Sequence, residues 1–143
     1  MNVRVVTLAP EDPLAEQAFA LRRDVFVDEQ SVDVEIEFDG LDDTALHLVV
    51  LEGDAVVATA RLLPVDEGLK LGRMAVRAEQ RGRGLGRRLA LAAIDEARAR
   101  GADRIVLHAQ TQARGFYEKL GFVAADGEFD EAGIAHVRMT LVP

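Results

Sequence analysis

Three glycines and four arginines stand together between Arg81 and Arg88, in the run EQRGRGLGRRLALAAIDEARARG from Glu79 to Gly101. Arginine forks bind anions, and glycine lets the backbone approach one with no Cβ in the way. The alanine- and leucine-rich stretch that follows reads as a helix, and the first N–H groups of a helix lack intrahelical acceptors and favour an anion. Four uses fit this chemistry: an RNA-binding RGG-type patch, a dinucleotide fingerprint, another kind of phosphate cradle, or a flexible turn with solvated arginines. The dinucleotide pattern needs glycines at its first, third and sixth positions, and counting from Gly82 the sixth is Arg87. The Gly-Lys-Ser/Thr ending of a nucleoside-triphosphate loop is absent too.

A second candidate is Tyr117, the one tyrosine in the chain. It shares a helical face with Ala113, Phe116 and Leu120, a spacing that by itself favours packing. Charge is spread unevenly: Asp28 to Asp43 carries eight acidic residues and no basic one, the reverse of Arg81 to Arg88. One segment suits a cation and the other an anion. The three histidines, His47, His108 and His136, match no metal-ligand spacing, so no metal is expected. The lack of cysteine excludes disulfides, thiolate zinc sites and a cysteine acyl-enzyme.

At 143 residues the chain is read as one globular domain, 1–143. Its net charge of −8 argues against nucleic-acid binding, which relies on a basic surface, and so against the RNA reading. No apolar run approaches the eighteen or so residues of a membrane span. The opening MNVRVVTLAPEDP reads as a strand and a turn, not a signal peptide, and cytoplasmic residence is the expectation.

The elements that must position these residues follow from period and punctuation. NVRVVTL predicts a strand. Asp12 is an N-cap candidate with Pro13 at the first helical position, and Leu14, Ala18, Leu21 and Val25 follow at helical spacing to about Val27. The acidic stretch lacks a period and reads as a loop with a short helical turn. LHLVVLEGDAVVATARLLPV predicts two strands around a Gly53–Asp54 turn, and LKLGRMAV a third. A helix is expected from about Gly84 to Arg100, stopped by Gly101. The strand DRIVLHAQ, a helix capped by Thr111 and stopped by Gly121, and two closing strands, FVAADGEF and AHVRMTLV, complete an α/β (α+β) fold with a mixed sheet.

Arg81-x-x-Gly84-x-Gly86 resembles the acyl-coenzyme A pyrophosphate motif of the GNAT N-acetyltransferase superfamily, Gln/Arg-x-x-Gly-x-Gly/Ala. The strand LGRMAV before it, and ARGFYEKLGF about thirty residues later, resemble that family's central strand and its Phe-Tyr-x-Lys-x-Gly-Phe signature. LRRDVFVDEQ, EFDGLDDTALHLV, ARL, LHAQ and GEFDEAGIAHVRM extend the resemblance from Leu21 to Met139, toward the ElaA/YjcF-like branch.

The resemblance implies a single GNAT-like domain: a mixed, mostly antiparallel sheet with helices on both faces, in which the strand before the glycine loop and the strand after its helix splay apart. It implies an acetyl-CoA-dependent N-acetyltransferase acting by direct attack of an amine. Acetyl-CoA would lie with its pyrophosphate on the amides of Gly82, Arg83, Gly84, Leu85, Gly86 and Arg87, with Arg81, Arg83 and Arg88 as charge partners. Its pantetheine arm would pair with the backbone of Met74, Ala75 and Val76 as an added strand does. One amide, at Ala75 or Val76, would polarise the thioester carbonyl. Tyr117 occupies the general-acid position. With ordinary pKa values of about 10 and 8.5, full proton transfer from it to a thiolate is uphill by about 2 kcal/mol. Gln110 stands where the wider superfamily often has Asn, and either hydrogen-bonds the cofactor or the backbone of the following helix, or simply caps its strand.

The acceptor side stays open. A base is expected, and Glu35, Glu37, Asp39, His47 and His136 are the candidates. Arg73 pairs either with an anionic group on the acceptor or with the acidic loop. Arg22, Phe26 and Glu29 also resemble a segment of acyl-homoserine-lactone synthases, which are longer. The implied partner is a small-molecule amine, not a nucleic acid or a membrane, and the protein is a monomer or homodimer. A CoA-binding sensor with little catalysis is the alternative from another class.

Overall fold

The computed structural model describes residues 2–143; Met1, the first residue of the expected domain, lies outside them. The chain runs β1 (Val3–Leu8), α1 (Ala15–Arg22), α2 (Val34–Glu37), β2 (Leu46–Glu52), β3 (Ala55–Val65), β4 (Gly68–Val76), α3 (Leu85–Ala99), β5 (Ile105–Gln110), α4 (Arg114–Glu118), β6 (Val123–Ala124), β7 (Phe129–Glu131) and β8 (Ile134–Leu141). The strands form one sheet in the order β1-β2-β3-β4-β5-β8-β6, with β7 also on β8. Among the described residues only β4 and β5 pair in parallel, which gives the mixed α/β architecture that the sequence pattern predicts.

Residues of β2 alternate between two cores, as a pleated strand buried on both faces must. Leu48 and Val50 pack with Leu85, Leu89 and Ala93 of α3, while Val49 and Leu51 pack with Ala18 and Leu21 of α1. The sheet therefore carries α3 on one face and α1 on the other. Helix α3 ends as its glycine predicts: Gly101 has φ +67, Ala102 N–H donates to Ala97 O and Gly101 N–H to Arg98 O, which closes the last turn. Among the described residues no helix is long and apolar enough to cross a membrane.

Two irregularities open the middle of the sheet. The parallel ladder joins only Leu69–Leu71 to Ile105–Leu107, and beyond it β4 and β5 part. On the other side of β4 the register slips: Thr59 faces Ala75 but Arg61 faces Gly72, so Ala60 opposes both Arg73 and Met74. Such a bulge bends a strand and increases its twist. Arg73 takes the extra position with φ +52, a left-handed conformation rare for a residue with a Cβ.

Three elements differ from the sequence expectations. The first helix does not stop near Val27: it widens into a π-helical stretch, Arg23–Glu29, with Gln30 N–H donating to Val25 O. The helix after β5 is short. It opens with a 3₁₀ turn at Thr111–Ala113, and no side-chain cap forms at Gln110 or Ala113, so Thr111 is not the cap. The first closing strand is broken into β6 and β7 on the same edge of β8, because Gly127 turns the chain at φ +86 between them.

Candidate active site

A cleft of about 590 Å³ runs through the sheet where β4 and β5 part. Leu71, Met74, Ala75 and Val76 line one wall and Leu107, Ala109 and Gln110 the other. Strand alternation gives the cleft two ends. One lies on the α3 and α4 face, with Arg81, Gly86, Phe116 and Tyr117; the other lies on the α1 face, with Glu37, Asp39, Arg61, Lys70, Glu131 and His136. Of the residues expected to bind a cofactor, Met74, Ala75, Val76, Arg81, Gly86 and Gln110 are on its wall. Gly82, Arg83, Gly84, Leu85 and Arg87 sit beyond it, and Arg87 lines a separate hollow with Phe116, Lys119 and Leu120.

At the first end, Gly82 and Gly84 have φ +82 and +77, and a Cβ on either would meet no atom within 4 Å. They hold the chain in the left-handed region and keep that surface open. Gly84 is the N-cap of α3. The first ladder bond there is Arg88 N–H to Gly84 O, which leaves the amides of Leu85, Gly86 and Arg87 as unpaired donors at the positive end of the helix dipole. Arg81 and Arg83, expected as anion partners, are already engaged. Arg81 donates from Nε to Val76 O at 3.0 Å and reaches Glu29 at 2.9 Å. Arg83 reaches Glu52 at 2.9 Å. These pairs pin the loop and present its backbone.

Tyr117 both packs and aims. Its ring meets Phe116 and Phe122 edge-on, at 4.9 and 5.7 Å. Its hydroxyl crosses the cleft to donate to Met74 Sδ at 3.7 Å. Burial pushes its pKa up to about 12, so it stays protonated. Gln110 has both ends of its amide occupied: Nε2 donates to Gln30 Oε1 at 2.9 Å, and Oε1 accepts from Gln112 at 2.6 Å. It ties β5 to the end of the π-helical stretch, and it is that stretch which brings Phe26, Glu29 and Gln30 to the cleft wall.

At the other end, three arginines interlock with three carboxylates. Arg22, 1 % exposed, donates to Glu37 at 2.8 Å and Asp42 at 2.7 Å. Arg61 holds both oxygens of Asp39, at 2.9 and 3.0 Å. Arg73 reaches Glu37 at 3.3 Å and Asp39 at 3.2 Å, and donates to the Ile36 carbonyl. Arg73 thus pairs with the acidic loop. Burial works to raise the pKa of Asp39, but the Arg61 hydrogen bond, the Leu41 amide and the charges of Arg61 and Arg73 outweigh it and hold the group at about 2. For Glu37 burial prevails over Arg22 and Arg73, and its pKa lies above the usual value.

The histidines separate clearly. His47 is buried against Phe19 outside the cleft wall, with Nε2 at 3.1 Å from Asp42 O, and burial pushes its pKa down. Glu35 is exposed and also outside the wall. His136 is on the wall. Two wall residues escaped the sequence reading: His108 and Glu131, whose side chains meet at 2.9 Å. A signal for Glu131 was present in EAGI. Ala132 and Gly133, at φ +54 and +79, form the two-residue turn that pairs Glu131 with Ile134.

A parallel strand pair opens into a cleft flanked by a glycine loop feeding a helix N-terminus, the arrangement that the sequence resemblance to GNAT acetyltransferases implies. Residues 11–143 match the acetyltransferase (GNAT) domain. The chain is 38 % identical over 134 residues to the uncharacterized N-acetyltransferase YjcF of Bacillus subtilis, covering 92 % of this chain and 95 % of that one. Among solved structures, an acyl-CoA N-acyltransferase from Pseudomonas aeruginosa superposes with a TM-score of 0.88 at 30 % identity, over 97 % and 99 % of the two chains. ElaA of Escherichia coli superposes with a TM-score of 0.87 at 28 % identity, over 96 % and 98 %. The chain belongs to the GNAT acetyltransferase family, in the branch that includes YjcF and ElaA, and is an acyltransferase.

The GNAT family uses acetyl-CoA, and the residues present fit that group. The open amides of α3 suit a pyrophosphate, and the unpaired edge of β4 beyond Leu71 suits an amide-bearing arm.

Proposed function

We propose that the protein is an acetyl-CoA-dependent N-acetyltransferase that passes the acetyl group directly to the primary amine of a small molecule. The observation that carries this reading is the Tyr117 hydroxyl, turned into the gap between β4 and β5 at 3.7 Å from Met74 Sδ. When bound, acetyl-CoA supplies an acyl group already activated as a thioester.

The chain supplies position and charge. The amides of Leu85, Gly86 and Arg87 hold the pyrophosphate, and the backbone of Met74, Ala75 and Val76 holds the arm in register. An N–H at Ala75 or Val76 faces the carbonyl oxygen as negative charge grows on it. Tyr117 donates to the departing sulfur. With its pKa at about 12 against about 8.5 for a thiol, complete transfer is uphill by about 5 kcal/mol. A turnover of about 10 per second corresponds to a barrier of about 16 kcal/mol, so the step is accessible. The imbalance makes hydrogen-bond donation the main contribution of Tyr117, with the proton moving late.

The acceptor end carries both signs, and its arginines are committed to carboxylates of the same wall. An acceptor therefore enters by displacing water from a cleft whose charges are already paired, which favours a compact amine over a long cationic chain. The test is a screen that follows CoA thiol release from acetyl-CoA with polyamines, amino acids, amino sugars and peptides. Turnover with small amines and none with peptides supports the reading. A rise in melting temperature with acetyl-CoA but no turnover across the panel replaces the enzyme with a CoA sensor. No binding of acetyl-CoA at all defeats both.

A further inference from the structure

The geometry points to His108 as the general base that takes the proton from the incoming ammonium group, with Glu131 as its positioning residue. This rests on the amine acyltransferase reading above. An amine is a nucleophile only once its nitrogen lone pair is free, so a group on the acceptor wall must accept a proton before the carbonyl is attacked.

The protein offers few groups able to do so. Glu37, Asp39 and Asp42 are locked by Arg22, Arg61 and Arg73, and Asp39, at about 2, is a weak base. His47 faces Phe19 and a backbone carbonyl, off the cleft. His136 is 7 % exposed and turned into its own hairpin: Nδ1 donates to Ile134 O at 2.7 Å, and Nε2 lies beside Glu131 Oε2 at 3.6 Å, too far for a hydrogen bond, with little open space for an acceptor amine.

His108 is arranged differently. Its Nδ1 lies 2.9 Å from Glu131 Oε1. An ionised carboxylate only accepts, so Nδ1 carries the hydrogen and Nε2 keeps its lone pair. Phe129 packs against the ring edge at 5.0 Å and 80°, which fixes its plane. A carboxylate that orients an imidazole and stabilises its protonated form is the arrangement of an acid–base dyad. The three side chains are not a metal site: Nδ1 of His136 is turned to a backbone carbonyl, and no group of three ligating side chains converges among the described residues.

The surrounding charges support this division of labour. For Glu131, burial works to raise the pKa, but the hydrogen bond from His108 leads the effects that outweigh it, so the carboxylate stays ionised. Lys70, from β4, adds its charge to them. Arg138 stands opposite His108 on β8 and is paired with Glu67. Across the cleft, Arg61 and Arg73 are neutralised by Asp39 and Glu37. In the step itself one N–H bond of the ammonium breaks, its electron pair stays on nitrogen, and an Nε2–H bond forms on His108. The imidazolium, held by Glu131, then releases the proton to water at the cleft mouth.

The experiment compares the wild type with His108→Gln and Glu131→Gln, measuring CoA thiol release against pH. The acceptors are spermidine, glucosamine and glycine, which enter as ammonium ions, and hydroxylamine, which is largely neutral at working pH. His108→Gln is expected to lower kcat/KM for the best ammonium acceptor by about 100-fold near neutral pH and to erase the acid limb of its profile. Turnover of hydroxylamine and the affinity for acetyl-CoA should stay within a few fold. Glu131→Gln should lose about tenfold and move the acid limb. Equal losses with hydroxylamine and the ammonium acceptors would mean a structural role and overturn the assignment. So would an acid limb that persists in His108→Gln. A wild type that binds acetyl-CoA yet turns over none of the four sinks the parent reading, and this one with it.

Discussion

The hydroxyl of Tyr117, on α4, points across the cleft to the sulfur of Met74, on β4, 3.7 Å away. A thioether is a weak acceptor, so this contact directs the hydroxyl without holding it strongly, and a better acceptor in the gap would capture it. Tyr117→Phe keeps the ring that packs on Phe116 and Phe122 and removes only the donor. The expected result is an unchanged dissociation constant for acetyl-CoA and a kcat at least about tenfold lower. Isothermal titration and single-turnover kinetics would measure the two. Unaltered turnover with a true acceptor removes the donor role.

Gly68 decides whether β4 and β5 can meet at all. It has φ +143, and a Cβ there would lie 2.1 Å from Arg104 O, the carbonyl that accepts from Leu69 N–H at the start of the parallel ladder. Only three residue pairs hold that ladder, so Gly68→Ala must push the strands apart at the root of the cleft. Gly53, at φ +60 with nothing near its missing Cβ, provides the control. Gly53→Ala should cost about 1 kcal/mol from backbone strain alone. Gly68→Ala should cost at least about 3 kcal/mol and weaken acetyl-CoA binding as well. Equal losses in thermal melts would show that the ladder yields easily and would refute the argument.

The pair Arg22–Glu37 is the most deeply buried of the ion pairs, at 1 % and 3 % side-chain exposure. Arg22 also donates to Asp42 and to the Glu37 carbonyl, so one fork fastens α1 to α2 and to the 3₁₀ turn at Asp42–Thr44. Removing one member of such a pair strands the other, at about 3–5 kcal/mol. Arg22→Ala should lose that much in urea denaturation. Arg22→Lys should recover little, because a single ammonium cannot satisfy three acceptors in a plane. A fully stable Lys variant would show that charge alone matters.

What the sequence made legible follows from period and punctuation. The apolar run of LHLVVLE, Gly53–Asp54 and Gly101 set strand, turn and helix end where they are found, because each acts through its own backbone. The glycine loop was readable for the same reason. The engagement of the arginines is not legible, since nothing local says that Arg81 will meet Glu29, fifty-two residues earlier. The π-helical stretch at Arg23–Glu29 keeps a nearly helical pattern and betrays no widening. His108 and Glu131 went unseen as a pair because they are twenty-three residues apart and meet only once β5 and β7 share β8. Residues that act through long-range register are what a one-dimensional reading loses.

The acid stability of the protein should fall in two stages, each led by a named group. Burial lowers the pKa of His47 below its ordinary 6.5. The unfolded chain therefore takes up that proton first, and the stability contributed by the neutral imidazole is full above 6.5 and fades as the pH falls below it. Glu37 works against this stage: its pKa is raised above 4.5, so the folded chain binds its proton earlier and regains some stability in the same direction. Asp39 leads the second stage, which it shares with Asp42, Glu52 and Glu131, whose pKa values are lowered too. Its pKa of about 2 lies below the ordinary 3.8, so its contribution is full above about 4 and is lost as the pH falls toward 2. Asp39 is exposed, so solvent screening leaves its contribution at about 1 kcal/mol or less. Unfolding free energies from urea titrations at a series of pH values should show both limbs in the wild type. His47→Gln should flatten the limb below 6.5 and leave the lower one, and Asp39→Asn should be less stable at neutral pH and flatten part of the lower limb. An Asp39→Asn curve running parallel to the wild type below pH 4 would show that the Arg61 and Arg73 contacts do not hold the carboxylate in solution.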